Sequence, residues 1–598
     1  MLALIVLLPL IAAIIAIAVL REGMTGRYIA IGASAVALVL SLLVSQGLTT
    51  IPWFNLAGNQ FNITILVTPL NLMLLILVQF MATVILVYSA GFMEAVSEQR
   101  RFYIEMLAFQ MSMTLFAISG NFVTLFIAWE FLSILSYMLI GFWFDRGKAN
   151  RAAREAITIV LIGDLAILAA IAIFWNVFGT LEFTTIIASL PNVMTPELSL
   201  GVIFLVIAVF TKSAQFPFQE WLTAAMEGPT PVSAFLHSST MVKAGVFTVM
   251  ILSPLFIKTG AMPVILIVGI LTAVIATLNA MREKHIKKVI AYSTIQELSL
   301  MLVAIAGGAI IAAAYFFLVQ SFYKALLFFS AGAVMKGTNE EDLDKTTGLK
   351  ENKLIYTSTL YGVLSLAGFI PFAGFFAATG ISSSFTGNIA IYAIISLIGM
   401  ATSFYIFRLF FLTSRDPKDS NTAFNYLSIP NTMVYSMVVL AAVSLGGAIA
   451  FHYLPYYITT GFMAKLYATN ASAITFNLTD GLTVTILAVI GAVIGYLAYA
   501  SKYSARFAKV KTKSLDTLVY NGPFVNKAYL LISNFFYELS EGIAVFDLYL
   551  SDAFDALGTL TMKLSDFVRK ASVGQISPYA FVFAFGIIAL FIYVYLMI

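Results

Sequence analysis

The chain has 598 residues, of which 61% are hydrophobic and 10% are charged, and its formal net charge is +4. This composition is typical of a polytopic membrane protein and excludes a soluble enzyme, and the small charge gives no nucleic-acid footprint. The absence of cysteine excludes Cys-ligated iron–sulfur clusters, thiolate zinc sites and disulfides. His237, His285 and His452 fall at different predicted depths, so bis-histidine haem is not expected and we expect no cofactor in this chain.

Stretches of roughly 20 apolar residues predict an all-α protein with about sixteen membrane-spanning helices. The first is followed by Arg21 and Arg27, so we expect a retained span and not a cleaved signal. The predicted spans are 2–20, 28–47, 65–92, 102–118, 121–144, 155–178, 201–222, 231–256, 261–280, 289–306, 309–335, 354–382, 388–412, 432–454, 479–501 and 577–598.

The basic residues predict the orientation of these spans. If the N-terminus is outside, seven of the eight predicted inner loops, all except 223–230, carry at least two Lys or Arg, whereas the outer loops carry only Lys258 and Lys465. Cytoplasmic loops show such an excess of Lys and Arg. We therefore predict a multi-pass protein of a prokaryotic plasma membrane with both termini outside.

Two prolines suggest an internal repeat. Pro217 in the seventh span and Pro371 in the twelfth lie five spans apart, and an odd offset reverses the orientation of the second copy. The alternative is that proline is simply common in membrane helices. The predicted divisions are three N-terminal helices (1–101), a first inverted repeat (102–256), a second inverted repeat (257–412), helices 14 and 15 (413–501), a basic loop and lateral helix (502–576) and a C-terminal helix (577–598).

The segment 524–570 is too polar to span a membrane but amphipathic enough to be helical. If mostly helical it reaches roughly 60–70 Å, which suggests a lateral helix that clamps neighbouring subunits. The alternative is two shorter helices, broken at Gly542 or Gly558, on the protein's own flank.

Lys212 and Glu130 are the strongest candidates for an ion path. An ionisable side chain at bilayer depth costs at least ~2.5–3.5 kcal/mol, so it usually faces a bundle interior or a water-filled cavity. Pro217 removes a helical donor one turn after Lys212, which predicts a broken helix there. A nearby carboxylate, such as Glu130, controls whether Lys212 keeps its proton. The alternative for Glu130 is a purely structural salt bridge.

Further polar residues lie in other predicted spans. Lys243 in the eighth span, Lys324 in the eleventh with Gln320 one turn before it, and His237 are interpreted as sequential relay positions. The alternative for each is buried hydrogen bonding. Asp164 and Arg408 are weaker candidates: Asp164 could tune the Glu130–Lys212 pair, and Arg408, always charged, could bias a path.

The motifs TKSAQFPFQEWLTAAMEGPTPVSAFLHSSTMVKAG, WEFLSILSYMLIGF and SFYKALLFFSAGAV resemble the large antiporter-like membrane subunit of respiratory complex I and of Mrp-type Na⁺/H⁺ antiporters. This resemblance implies two inverted five-helix repeats with discontinuous helices, a lateral helix against neighbouring subunits, and proton translocation along a mid-membrane axis. The family's functional positions correspond to Glu130, Asp164, Lys212, His237, Lys243 and Lys324.

One departure from the family concerns the outlet. The lysine expected just after the twelfth-span break is replaced by Ala378, and histidines of the eleventh span by Phe316 and Gln320. Either water and the serines that follow carry protons outward, or this subunit pumps poorly. Those serines are Ser382, Ser383 and Ser384.

Three functions fit the sequence. The leading hypothesis is a proton-translocating subunit of a complex I-like oxidoreductase, with redox chemistry in partner subunits. The others are a subunit of a Na⁺/H⁺ antiporter and a structural membrane scaffold with an impaired outer half-channel. Protons, possibly Na⁺, membrane lipid and other membrane subunits are the expected partners, and nucleic acid is not.

Overall fold

The computed structural model describes residues 2–501, apart from 21–22, 57, 191–194, 417–428 and 461–476, together with single residues and short runs between 534 and 589. The chain forms two compact units, Met1–Val510 and Lys511–Ile598. The described residues of the second unit are helical. The predicted lateral helix and the sixteenth span fall largely outside the described residues, so both stay predictions.

The first unit is built from helices and one hairpin. Its N-terminal half contains α1 (Leu2–Ile5), α2 (Leu7–Leu20), α3 (Gly23–Leu42), β1 (Gly47–Leu56), β2 (Asn59–Val67), α4 (Pro69–Phe92), α5 (Gln99–Ala117), α6 (Phe122–Ile140), α7 (Gly147–Phe178), α8 (Phe183–Ser189), α9 (Pro196–Lys212), α10 (Glu220–Ala224) and α11 (Thr230–Ala234). A π-helical turn, Phe235–Ser239, separates α11 from the next helix.

The remaining helices of the first unit follow with short connections. They are α12 (Lys243–Ile251), α13 (Ser253–Lys258), α14 (Met262–Ala280), α15 (Ile286–Ala306), α16 (Ile310–Thr338), α17 (Lys353–Leu366), α18 (Ala373–Ser383), α19 (Ile389–Thr413), α20 (Asn431–Thr460) and α21 (Leu478–Tyr499).

The hairpin β1–β2 corrects the all-α prediction. Its strands are rich in Thr, Ile, Phe and Val and pair antiparallel from Gly47 opposite Val67 to Leu56 opposite Asn59. The third span, predicted from residue 65, therefore begins only at Pro69, where Thr68 caps the helix by accepting a hydrogen bond from the Asn71 amide. The apolar content of residues 65–68 alone does not distinguish the end of a strand from the start of a helix.

Ten helices among the described residues are long and apolar enough to cross a membrane, or eleven if the bent α20 counts as one span. The prediction of sixteen is therefore only partly supported. Of the other five predicted spans, α2 is short, α5 carries three charged residues, two are interrupted at prolines, and the last lies largely outside the described residues. The chain is a multi-pass membrane protein.

The centre of the first unit is formed by α11, α12, α15 and α16, whose residues are almost all buried. Lys243 and Lys324 belong to these enclosed helices, and Lys212 ends α9 beside them; all three are fully buried. The most deeply buried helices thus contain ionisable side chains, whose placement within a membrane costs the most free energy.

Candidate functional site

The helix expected to break near Pro217 ends at Lys212, and α10 begins only at Glu220. Ala214 adopts a left-handed φ of 51° in this gap. The carbonyl oxygens freed by the break accept new donors, since the Gln215 amide donates to the Ser213 carbonyl at 2.8 Å and the Trp221 indole to the Thr211 carbonyl at 2.9 Å. Irregular backbone at membrane depth is thereby satisfied within the protein.

A second interruption surrounds Pro371, between the end of α17 at Leu366 and the start of α18 at Ala373. Gly374 is required at this point, because a Cβ there would lie 1.7 Å from the carbonyl oxygen of Ser365. Gly368 adopts a φ of 78°, which other residues rarely accept.

Lys212 contacts a compact set of polar groups, which we call the first lysine cluster (Trp129, Ser133, Asp164 and Lys212). The Lys212 ammonium donates to the Trp129 carbonyl at 3.1 Å and to the Ser133 hydroxyl at 2.5 Å, and lies 3.5 Å from Asp164 Oδ1. It also lies 4.7 Å from the centre of the Trp129 ring. The Trp129 indole donates to the same Asp164 oxygen at 2.7 Å, which fixes the carboxylate.

Glu130 lies beside this cluster but is not the carboxylate that pairs with Lys212. Its helix turns Trp129 and Ser133, four residues apart, toward Lys212, whereas Glu130 is half-buried next to the exposed Phe131. Glu130 still interacts electrostatically with Asp164 and Lys212. Asp164, the weaker candidate in the sequence, is the direct partner.

Lys324 belongs to a second lysine cluster (Ser293, Glu297, Gln320, Tyr323 and Lys324). Its ammonium lies 2.6 Å from Glu297 Oε2 and donates to the Ser293 hydroxyl at 2.6 Å. The Gln320 amide donates to the same Glu297 oxygen at 3.2 Å, and the Tyr323 hydroxyl donates to Glu297 Oε1 at 2.7 Å.

Lys243 adjoins the second lysine cluster. Its ammonium donates to the Phe317 carbonyl and the Ser321 hydroxyl of α16, and it interacts electrostatically with Glu297 and Lys324. Because Phe317 and Ser321 lie one turn apart on the helix that holds Lys324, the two lysines approach α16 at neighbouring levels.

His237 lies in the π-helical turn between α11 and α12 and is fully buried. Its ring packs between Trp221 and Phe328, with centroids 6.1 and 6.3 Å away. Neither ring nitrogen hydrogen-bonds to another group of the described residues.

Arg408 lies apart from both clusters. It donates to the carbonyls of Met281, at 2.5 Å, and Glu283, at 2.6 Å, and so holds the loop that leads into α15. In that loop His285 caps α15 and pairs with Glu341 at 3.1 Å; it is not a fully solvated surface residue.

The serines after the second break differ in their contacts. Ser382 lines a cavity beside Glu297, Ser383 donates to Asp480 at 2.7 Å, and Ser384 donates to the Gly380 carbonyl at 2.8 Å. Only the first two therefore border polar groups outside their own helix.

Two family models match this chain over more than half of its length. Residues 119–404 match the NADH:quinone oxidoreductase/Mrp antiporter membrane domain, and residues 53–103 match the N-terminus of chain 5 of NADH-ubiquinone oxidoreductase (complex I). The chain belongs to this family of antiporter-like membrane subunits. Both lysine clusters of the antiporter-like subunit lie within the longer match.

Similar proteins include NADH-quinone oxidoreductase subunit L of Neisseria meningitidis, 34% identical over 60% of this subunit and 56% of the relative. The antiporter-like subunit thus spans little more than half of that relative's length. The Mycobacterium tuberculosis subunit L is 29% identical over 88% of this chain and 85% of its own. A chain of the Dietzia sp. Mrp complex shares the fold, with a TM-score of 0.71 and 21% identity over 88% of this chain and 60% of that one.

Glu297 is the most important residue of the antiporter-like subunit that sequence reasoning missed. It lies in the middle of α15, a buried span, so the criterion that selected Glu130 would also have selected Glu297. Asp480 was missed because it lies at the very start of a span, where a carboxylate is usually solvated. The structure shows it to be 4% exposed.

Proposed function

We propose that this chain translocates protons as the antiporter-like membrane subunit of a complex I-like oxidoreductase. The observation that carries the proposal is the pair of buried lysine–carboxylate contacts, Lys212–Asp164 and Lys324–Glu297, in membrane helices next to two helix breaks. Buried charges of this kind are expensive in a membrane and mark ion paths. Discontinuous helices are where transporters place their ion sites.

The first lysine cluster acts as the switch. Lys212 is held by one carboxylate at 3.5 Å and by neutral oxygens, while the half-buried Glu130 supplies a second negative charge nearby. Glu130 interacts electrostatically with both Asp164 and Lys212. A change in charge at Glu130, driven by redox chemistry in partner subunits, therefore changes how firmly Lys212 holds its proton.

The proton then passes from the first to the second lysine cluster. Lys243 contacts α16 one turn before Lys324, so a proton that reaches it adjoins the Lys324–Glu297 pair. His237 is buried, and neither of its ring nitrogens hydrogen-bonds to another described residue. It serves as an additional proton relay together with water. Two inverted repeats, 102–256 and 257–412, each contribute one helix break to this axis.

The surroundings of the axis follow from the same proposal. Other membrane subunits pack against this chain and are clamped by the lateral helix. Both termini lie on the outer side of the plasma membrane. Electrons stay on cofactors of the partner subunits. Asp164 tunes Lys212 directly, whereas Arg408 fixes an inner loop.

The test is proton uptake by the purified complex in sealed proteoliposomes, with Lys212→Ala compared with wild type. We expect fewer protons per electron at unchanged assembly, because Lys212 is the switch. Lys258→Ala, which alters an exposed lysine, is the matched control and should behave as wild type. If Lys212→Ala keeps the full proton yield, the proposed mechanism is wrong.

A Na⁺/H⁺ antiporter subunit is the second candidate, since the fold is shared with a chain of an Mrp complex. This function predicts Na⁺-dependent pH changes in the same vesicles without any electron donor. Their absence, together with donor-dependent proton uptake, favours the oxidoreductase.

A membrane scaffold is the third candidate, because Ala378 stands where the family carries a lysine and borders an open space next to Glu297. This function predicts an intact complex whose proton yield does not respond to Glu130→Gln. A reduced yield in that variant rejects the scaffold.

A further inference from the structure

A cavity of about 70 Å³ borders the second lysine cluster. Its lining includes Glu297 and Tyr323, Ala378 and Ser382 of α18, and Val484 of α21. The space is large enough to hold water, and its carboxylate and hydroxyl groups supply hydrogen-bond partners. The cavity occupies the position beside Ala378 where a lysine side chain is missing.

A buried carboxylate, Asp480, lies one helical turn before Val484 on α21. It is 4% exposed and accepts hydrogen bonds from Ser383 at 2.7 Å and from Tyr392 at 3.1 Å. Ser383 directly follows Ser382, which lines the cavity. The residue next to a cavity-lining serine thus donates to a carboxylate at the end of the helix that the Lys and Arg distribution places outside.

We propose that Asp480 is the last proton-binding group of the outlet and replaces the lysine that is absent at position 378. This inference rests on the proposed function and adds its exit. Lys324 gives its proton to Glu297, Glu297 passes one to the cavity water, and the Ser382 and Ser383 hydroxyls relay one to the Asp480 carboxylate. Asp480 releases it to outer water, Lys324 is reprotonated from Lys243, and Lys243 is reprotonated from the first lysine cluster, which takes up a proton from the inner side, so every group returns to its starting state.

A purely structural role explains Asp480 only in part. A carboxylate in the first turn of a helix is favoured by the helix dipole by about 0.3–1 kcal/mol. That gain is small beside the several kcal/mol lost on burying a charge, and hydroxyl partners do not neutralise it as a lysine would. An exposed carboxylate in the first turn of a helix would keep the dipole gain at no burial cost, as Glu197 does in α9.

The experiment measures protons per electron in proteoliposomes that contain the whole complex, for Asp480→Asn, Lys212→Ala and the double variant. We expect Asp480→Asn to lower the yield to that of Lys212→Ala, and the double variant to lower it no further, because both residues belong to one path. Glu197→Gln, the matched first-turn control, should equal wild type. A small weak acid such as azide, which can carry the proton, should restore Asp480→Asn but not Lys212→Ala.

The outcomes separate the outlet from the proposed function. A wild-type yield for Asp480→Asn with a loss for Lys212→Ala overturns the outlet alone, and a wild-type yield for Lys212→Ala overturns both. If Asp480→Asn does not assemble, Ala378→Leu fills the cavity and leaves the contacts of Asp480 in place. A lowered yield in that variant supports the water-filled outlet, and an unchanged yield overturns it.

Discussion

The two lysine clusters each pair a buried lysine with a buried carboxylate, but the distance between the two groups differs. In the first, Lys212 lies 3.5 Å from Asp164, and Glu130 stands nearby on a half-exposed face. In the second, Lys324 lies 2.6 Å from Glu297, whose two oxygens also accept from Gln320 and Tyr323. Both lysines are fully buried.

This difference indicates where the axis can be switched. At an effective dielectric constant of about 20, the longer separation weakens the attraction by roughly 1–2 kcal/mol, close to a tenfold change in proton affinity. The first lysine cluster is therefore the easier one to perturb from outside. The second is better suited to hold a charge until the outlet accepts it.

The largest expected effect comes from breaking the tight pair. Lys324→Met should lower the free energy of unfolding by about 3–5 kcal/mol, because it removes the cation that lies 2.6 Å from the buried Glu297 carboxylate. Lys212→Met should lower the free energy of unfolding by less, since Lys212 and Asp164 are farther apart. Thermal unfolding of the purified complex, followed by intrinsic fluorescence, measures both.

The control for this prediction removes both charges. Lys324→Met combined with Glu297→Gln keeps an acceptor for Tyr323 and should recover most of the lost stability, since neutral replacements of buried ion pairs are often tolerated. A double variant as unstable as Lys324→Met would show that packing, and not charge, dominates the second lysine cluster.

A smaller effect is expected at Trp129, which fixes the loose pair. Trp129→Phe removes the indole N–H that donates to Asp164 at 2.7 Å and should cost about 1.5–3 kcal/mol, the usual contribution of a hydrogen bond to a charged group. Trp175→Phe, at a ring that stacks on Phe61 instead, serves as the control in the same unfolding assay. Equal losses in the two variants would argue against the contact with Asp164.

The smallest effect is expected at a pair outside the membrane-spanning helices, formed by the largely exposed Glu341 after α16 and by His285 at the start of α15. A hydrogen bond from His285 lowers the pKa of Glu341 from 4.5 to about 2. A carboxyl group with a lowered pKa stabilises the fold above pH 4.5 and loses this contribution as the pH falls from 4.5 to about 2.

Glu341→Gln should therefore be less stable than wild type near neutral pH, and the difference should shrink as the pH falls below 4.5 and disappear near pH 2. Because Glu341 is largely exposed, we expect at most about 1 kcal/mol. Unfolding midpoints at several pH values measure the difference. A difference that grows as the pH falls would have the wrong sign.

Much of the site could be predicted from the sequence, because burial of a charge is a local property. Lys212, Lys243 and Lys324 stand out in apolar stretches, and Pro217 and Pro371 lie in the two gaps between helices. The choice of carboxylate could not be predicted, since it depends on how α6 is rotated. Trp129 and Ser133 face Lys212, and the neighbouring Glu130 therefore cannot do so fully.

Contacts between residues far apart in the chain could not be predicted from the sequence either. Ser383 and Asp480 are 97 residues apart, and only the packing of α18 against α21 shows that they touch. The hairpin β1–β2 was missed because its apolar strands continue directly into the apolar helix α4. Such features depend on which elements become neighbours, and local composition does not determine this.

The most direct test of the central claim is the number of protons taken up per electron in proteoliposomes with Lys212→Met, Lys324→Met and both changes together. If the two lysine clusters form one axis, each single variant should lose this chain's whole share, and the double variant should lose no more. A Lys324→Met complex that keeps the wild-type yield while Lys212→Met loses it would contradict a continuous axis. Full yield in both would contradict proton translocation by this chain.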